Sequence, residues 1–210
     1  MLDFFDRITN DGKPWLVLGK GPSSEKITTG QTTDWSGYRV FALNHAIKLW
    51  PSAEIFHCID ADVLNDPSIQ SFAETAKYLV MPFYPHFNQR PDPNMSLETF
   101  IRQRPPLVRK NLKGRILWYN LNSAPRIVYE PRVSAGIRII RADYFSAEAA
   151  FDLLARVGVK KIDTLGIDGG SERADAFRHL KFENPHGTYD KQFDNLSRIC
   201  HDYGITWRKL

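Results

Sequence analysis

The chain is short of the features that would tie it to a covalent staple, a metal cluster or a membrane. It has two cysteines, Cys58 and Cys200, far apart and outside any CxxC or Cys/His spacing. That excludes a disulfide framework and a zinc-ligand pattern, and both residues read as buried thiols. No uncharged apolar run approaches the ~20 residues of a membrane span. The opening residues, Met1-Leu-Asp-Phe-Phe-Asp, lack the basic-then-apolar order of a secretory signal, so the expectation is a cytoplasmic protein. Internal repeats and low-complexity tracts are missing too. So is any strong imbalance of charge: the formal charge is +4, with basic residues spread along the chain. Such a surface suits an anionic ligand without selecting nucleic acid, and no nucleic-acid partner is expected.

What is present is an ordinary globular composition, 42% hydrophobic and 25% charged. At 210 residues one domain can bury roughly 70% of the surface its unfolded form exposes, so residues 1–210 read as one unit.

Trp15 to Gly19 is a short apolar run ending in glycine, and the Gly-Pro-Ser-Ser that follows has the residues expected where a helix begins. Tyr38 to Asn44 reads as a second strand, His45 to Trp50 as a short helix, and Glu54 to Asp60 as a third strand. A helix from Ser68 to Thr75 and a strand from Lys77 to Met81 follow. Strands alternating with helices predict an α/β, Rossmann-like domain with a mainly parallel sheet and helices on both faces.

From 82 to 134 the pattern breaks down into many prolines, a basic run (Arg102, Arg104, Arg109, Lys110, Lys113, Arg115) and one apolar stretch from Ile116 to Tyr119. That is the signature of an irregular insertion or lid, or of a pair of edge strands. Regularity returns with an amphipathic helix from Ser146, read as its serine cap, to Gly158, and with a strand from Lys161 that delivers Asp168 to Gly169 and Gly170. A helix from Thr188 to Tyr203 and a closing strand from Ile205 complete the chain.

In an open parallel sheet, ligands lie outside the carboxyl ends of the strands, which makes several short motifs candidates for one site. Gly19, Lys20, Gly21, Pro22 and Ser23 form a turn whose missing side chains let backbone amides approach a phosphate at a helix start; a plain tight turn is the other reading. The spacing fits neither the P-loop nor GxGxxG. Asn44, at a strand end, suits either a ribose or base contact or a turn. Asp60-Ala-Asp62 has the form that holds a divalent cation across a diphosphate, or caps the next helix. Asp168 before two glycines could bind a sugar hydroxyl or a metal, or organise the turn. His186, before the last helix, is a candidate general base, with solvation as its alternative.

The order Leu-Gly-Lys-Gly-Pro-Ser, Ala-Leu-Asn, a serine-led helix, Gly-Ile-Asp and His-Gly-Thr-Tyr-Asp resembles the bacterial sialyltransferases of glycosyltransferase family 42, at both ends of the chain but not in the middle. The resemblance implies a GT-A-like variant of the fold. It implies an inverting, metal-independent transfer of a sialic-acid-like sugar from a CMP-sugar donor to a surface glycan precursor, as in lipopolysaccharide or capsule synthesis, with no cofactor required. Carried over residue by residue, it places Gly19, Gly21, Pro22, Ser23, Asn44 and Ser146 around the donor and makes His186 the base. Lys20, Asp60 and Gly169 join the candidate donor-binding set by position, and Asp168 is the next base. Where that family has aromatic residues after Gly-Ile-Asp, one of them a tyrosine contacting the donor phosphate, this chain has Gly169 and Gly170.

The same Gly-x-Gly-Pro-Ser and Gly-x-Asp pattern is similar to the 6-hydroxymethylpterin diphosphokinase-like family, which implies an ATP- and magnesium-dependent phosphotransferase with Asp60, Asp62 and Asp168 on the metal. A non-catalytic nucleotide- or glycan-binding module is the third expectation. Residues 102–115 are expected to face the acceptor or the anionic headgroups at the inner face of a membrane.

Overall fold

The computed structural model describes the chain apart from residues 30–33, 105, 124–125, 129–138 and 181–183. Short strands with Val, Ile, Leu and Phe at nearly every position belong inside a sheet covered on both faces, and that is their place here. The strands are β1 (Leu2–Asp3), β2 (Trp15–Leu18), β3 (Arg39–Leu43), β4 (Ile55–His57), β5 (Tyr78–Pro82), β6 (His86–Phe87), β7 (Arg90–Pro91), β8 (Ile116–Ser123), β9 (Arg126–Val128), β10 (Ile139–Arg141), β11 (Lys161–Leu165) and β12 (Thr206–Lys209). The main sheet runs β1-β8-β5-β4-β3-β2-β11-β12 with every neighbour parallel. Beyond Tyr119, β8 pairs with β10 in parallel and β9 antiparallel, and β6 and β7 form a separate small hairpin. This is an α/β domain with a Rossmann-like, mainly parallel sheet.

The helices are α1 (Pro67–Thr75), α2 (Leu97–Arg102), α3 (Pro106–Asn111), α4 (Ser146–Arg156) and α5 (Phe193–Tyr203). Alternation along β2 divides the core: Trp15 and Val17 pack with Phe151, Leu154 and Leu196 of α4 and α5, whereas Leu16 and Leu18 pack with Ile47, Ile69 and Phe100 on the other face. Period-two alternation sends successive side chains to opposite faces, so one four-residue strand serves two cores.

Three expectations need correction. The segment after Gly21 is a 3-10 run of six residues, Pro22–Ile27, rather than an α-helix. Ser146 is the first residue inside α4, whose cap position is Phe145 without a side-chain cap bond. The 82–134 stretch is not wholly an insertion, because β8 runs through it as an internal strand between β5 and β1, with Leu117 and Tyr119 in the core. Asn120 and Asn122 interrupt its apolar run and the basic segment precedes it, which hid the strand from a reading of periodicity. The final helix begins as 3-10 turns, Tyr189–Gln192, capped by the Thr188 side chain, and α5 ends at Gly204 in the left-handed conformation.

Candidate functional site

The chain leaves β2 toward β3, winds outward to β8, and returns to pair β11 on the opposite side of β2. That reversal puts the switch in strand order at the carboxyl ends of β2 and β11, the place where open α/β sheets take their ligands. Two glycine turns meet there. Gly19 donates its N–H to the Leu165 carbonyl at 2.8 Å, Gly21 to the Gly166 carbonyl at 2.9 Å, and Ser24 to the Gly21 carbonyl at 3.1 Å. Ser23 donates its N–H to Asp168 Oδ2 at 2.8 Å and its hydroxyl to Asp168 Oδ1 at 2.5 Å, while its Oγ accepts the Gly166 N–H at 2.7 Å.

The turn is glycine-rich because backbones touch: a Cβ on Gly19 would lie 2.3 Å from the Gly166 oxygen, and one on Gly21 2.5 Å from Asp168 Oδ2. The amides of Gly19, Gly21 and Ser23, expected to cradle a phosphate, are therefore occupied inside the protein. Pro22 has no amide hydrogen to offer, and the run that follows is a six-residue 3-10 helix rather than an α-helix. Asp168 acts as the clamp of this joint.

Lys20 is the turn's remaining cationic group. Burial holds its ammonium down to about 8, with Arg173 nearby lowering it further and Asp60 partly offsetting the effect. Asp60, at the end of β4, is pushed up to about 6 by burial and by Asp62, against the pull of Lys20. Among the described residues its buried Oδ1 has no hydrogen-bond partner, and His86 Nδ1 lies 3.9 Å away. Asp62 Oδ2 accepts the Asn88 N–H at 2.7 Å. With Asp168 on Ser23, the three carboxylates Asp60, Asp62 and Asp168 are not assembled; among the described residues no group of three His, Cys, Asp or Glu side chains could hold a metal ion.

Beside Lys20, the end of β3 places Asn44 in the left-handed region at φ 52°, a conformation that asparagine tolerates better than most residues. Its Nδ2 lies 3.4 Å from Ser146 Oγ at the start of α4, and its Oδ1 is buried without a partner among the described residues. The two residues before Ser146 hold His186. The imidazole stands edge-on to the rings of Tyr144 and Phe145, with centroids 5.2 and 5.3 Å away, and Phe145 also packs on Tyr189 at 5.0 Å. Partial burial and nearby Lys191 hold His186 below the ordinary histidine value, so the ring is neutral near pH 7 and able to accept a proton.

The Gly169-Gly170 turn brings this loop back to the sheet. Tyr189 N–H donates to the Gly170 carbonyl at 2.7 Å and Gly170 N–H to Asp190 Oδ1 at 3.1 Å. A Cβ on Gly169, whose φ is +89°, would lie 2.2 Å from Asp190 Oδ1, so this glycine allows loop closure. His201 is exposed at the end of α5, paired with Asp202, and His179 is also exposed. Of the basic run, Arg102 pairs with Glu98 and Arg104 lies over Phe100, leaving Arg109, Lys110 and Lys113 on the surface. Both thiols are buried.

Sequence reasoning missed Tyr144, Phe145 and Arg173, and it missed Glu148, which reaches back to the Asp143 and Tyr144 amides. For Glu148 a signal existed: it stands three residues after the cap position Phe145, the spacing of a capping box. The chain matches no protein-family model and no curated protein. Among the described residues no helix is long and apolar enough to cross a membrane.

Proposed function

We propose that the protein is a glycosyltransferase that moves a sialic-acid-like sugar from a CMP-type donor to a hydroxyl of a glycan precursor, with inversion and with His186 as the base. The observation that carries this reading is the approach of Asn44, Ser146 and the His186-bearing loop at the carboxyl edge of the sheet. These residues come from three distant segments, and each was singled out by the resemblance to the sialyltransferases. Asn44 offers the nucleoside a buried acceptor, Oδ1, that has no partner among the described residues; an unmet buried acceptor is costly unless a ligand completes it.

Bond making and breaking follow directly. His186 takes the proton of the acceptor hydroxyl as its oxygen attacks the anomeric carbon, and the bond from that carbon to the CMP phosphate breaks. The leaving phosphate is met by the Lys20 ammonium and the Ser146 hydroxyl, since the glycine-turn amides are already engaged. A fixed cation and hydroxyl aimed at developing charge lower the barrier without reorganising. The Asp60 carboxyl is near enough to offset part of the cost of burying that ammonium.

The test is a calorimetric titration with CMP, and separately with ADP and magnesium, followed by donor turnover with and without EDTA. CMP binding and EDTA-insensitive turnover are expected. Binding of ADP only in the presence of magnesium would transfer the assignment to the phosphotransferase class. Binding of neither nucleotide would remove the nucleotide premise.

A further inference from the structure

Glu148 is 1% exposed and lies in the first turn of α4, two residues after Ser146. A carboxylate so deeply placed needs a reason, because burying one is costly unless its oxygens are met. One oxygen has that reason: Oε2 accepts the backbone N–H of Asp143 at 2.5 Å and of Tyr144 at 3.0 Å. The other, Oε1, is buried without a partner among the described residues; Glu148 also lines a cavity between α4 and α5 with Arg141, Asp143, Asp152, Asn195 and Arg198. From α5, Asn195 Nδ2 donates to Asp143 Oδ2 at 3.0 Å, so the short segment before α4 is tied at both its backbone and its side chain. That segment carries Tyr144 and Phe145, the two rings against His186.

We infer that Glu148 is the positioning residue of His186: its carboxylate pins the Asp143–Tyr144 backbone, and the pinned Tyr144 and Phe145 rings fix where the imidazole stands and how far water reaches it. This rests on the proposed function only in making His186 the base; the enclosure itself stands on geometry. Burial pushes the Glu148 carboxyl up to about 7, opposed by the same two backbone amides, with the Asp143 charge adding to the rise and the Asn195 side chain from α5 countering it. A proton would go to the unpartnered Oε1, leaving Oε2 free to accept, so the pinning survives protonation. Glutamine preserves it for the same reason, while alanine removes it.

The experiment is an NMR titration of the His186 imidazole in the full chain, with the resonance assigned by its loss in H186Q, alongside donor turnover. In the wild type the midpoint lies below about 6.5. E148A should move it up toward that value, as the rings release the imidazole to water, and should lower kcat by roughly 10- to 100-fold at unchanged CMP affinity, the scale of a small misplacement of a reacting group. E148Q should restore both. Y144A, which removes a ring and leaves Glu148 in place, should reproduce the upward shift. If E148A does not fold, E148D takes its place, since its carboxylate stops one methylene short of the two amides.

An E148A or E148D midpoint equal to wild type overturns the inference, as does E148Q behaving like E148A. A shifted midpoint in a protein that neither binds CMP nor transfers sugar would retain the positioning role and remove the proposed function. Turnover with an unmoved midpoint would do the reverse.

Discussion

Gly19→Ala separates a glycine kept for a ligand from one kept for packing. The added Cβ would lie 2.3 Å from the Gly166 carbonyl oxygen and 2.6 Å from Ile167 Cδ1. The isoleucine methyl can rotate away, but the carbonyl belongs to the facing turn and already accepts the Gly21 N–H at 2.9 Å. Relief therefore means separating the two turns. Overpacking of this kind costs about 1–3 kcal/mol, and weakening the Gly21 bond adds about 1 kcal/mol, so the expected loss is about 2–4 kcal/mol. At about 2–4 °C per kcal/mol for a domain of this size, Tm should fall by roughly 5–15 °C.

Urea denaturation should show a lower midpoint at unchanged slope, because the surface exposed on unfolding is the same. Gly37→Ala is the control: no described atom lies within 4 Å of its Cβ position, and its unfolding free energy should stay within about 1 kcal/mol of wild type. Wild-type stability in Gly19→Ala together with lost CMP binding would refute the packing account and return the turn to the role of a phosphate cradle.

His186→Ala should lower kcat by roughly 10²- to 10⁴-fold with CMP affinity nearly unchanged; the acidic limb of kcat/KM, lying below about 6.5 because His186 is held down, should vanish, and wild-type turnover would end this mechanism. Lys20, with its ammonium near 8, should make CMP affinity level below that pH and weaker above it, as the cation is lost; Lys20→Met should abolish that dependence, and an unchanged pH profile would remove Lys20 from the phosphate. Charge reversal at Arg109, Lys110 and Lys113 should raise the acceptor KM and spare CMP binding, and steady-state kinetics showing the opposite split would refute an acceptor role for that surface.

Much of this molecule is legible in short stretches of sequence. Trp15 to Leu18 followed by Gly19 reads as a strand running into a turn because burial on both faces demands continuous apolar residues; Lys161 onward also reads as a strand, but as one reaching Asp168 and the glycines beyond, whereas it stops at Leu165 and turns at Gly166. Their alternation with Ser68 to Thr75 and Ser146 to Gly158 is enough to establish the α/β class. Strand β8 was not legible, since its place between β5 and β1 depends on partners far away in the chain and not on its own interrupted pattern. The purpose of Gly19 and Gly21 was equally hidden: a sequence shows that a side chain is missing, but only tertiary structure shows whether the space belongs to a ligand or to the Gly166 carbonyl and Asp168. Likewise, Asn44, Ser146 and His186 could be nominated one by one, while their approach depends on α4 packing against the sheet and on Gly169 letting the 188–190 loop close. Local chemistry follows from neighbours a few residues apart, and a site follows from contacts between residues from about twenty to more than a hundred apart, as in Gly170 with Asp190 and Asn44 with Ser146, which no local pattern encodes.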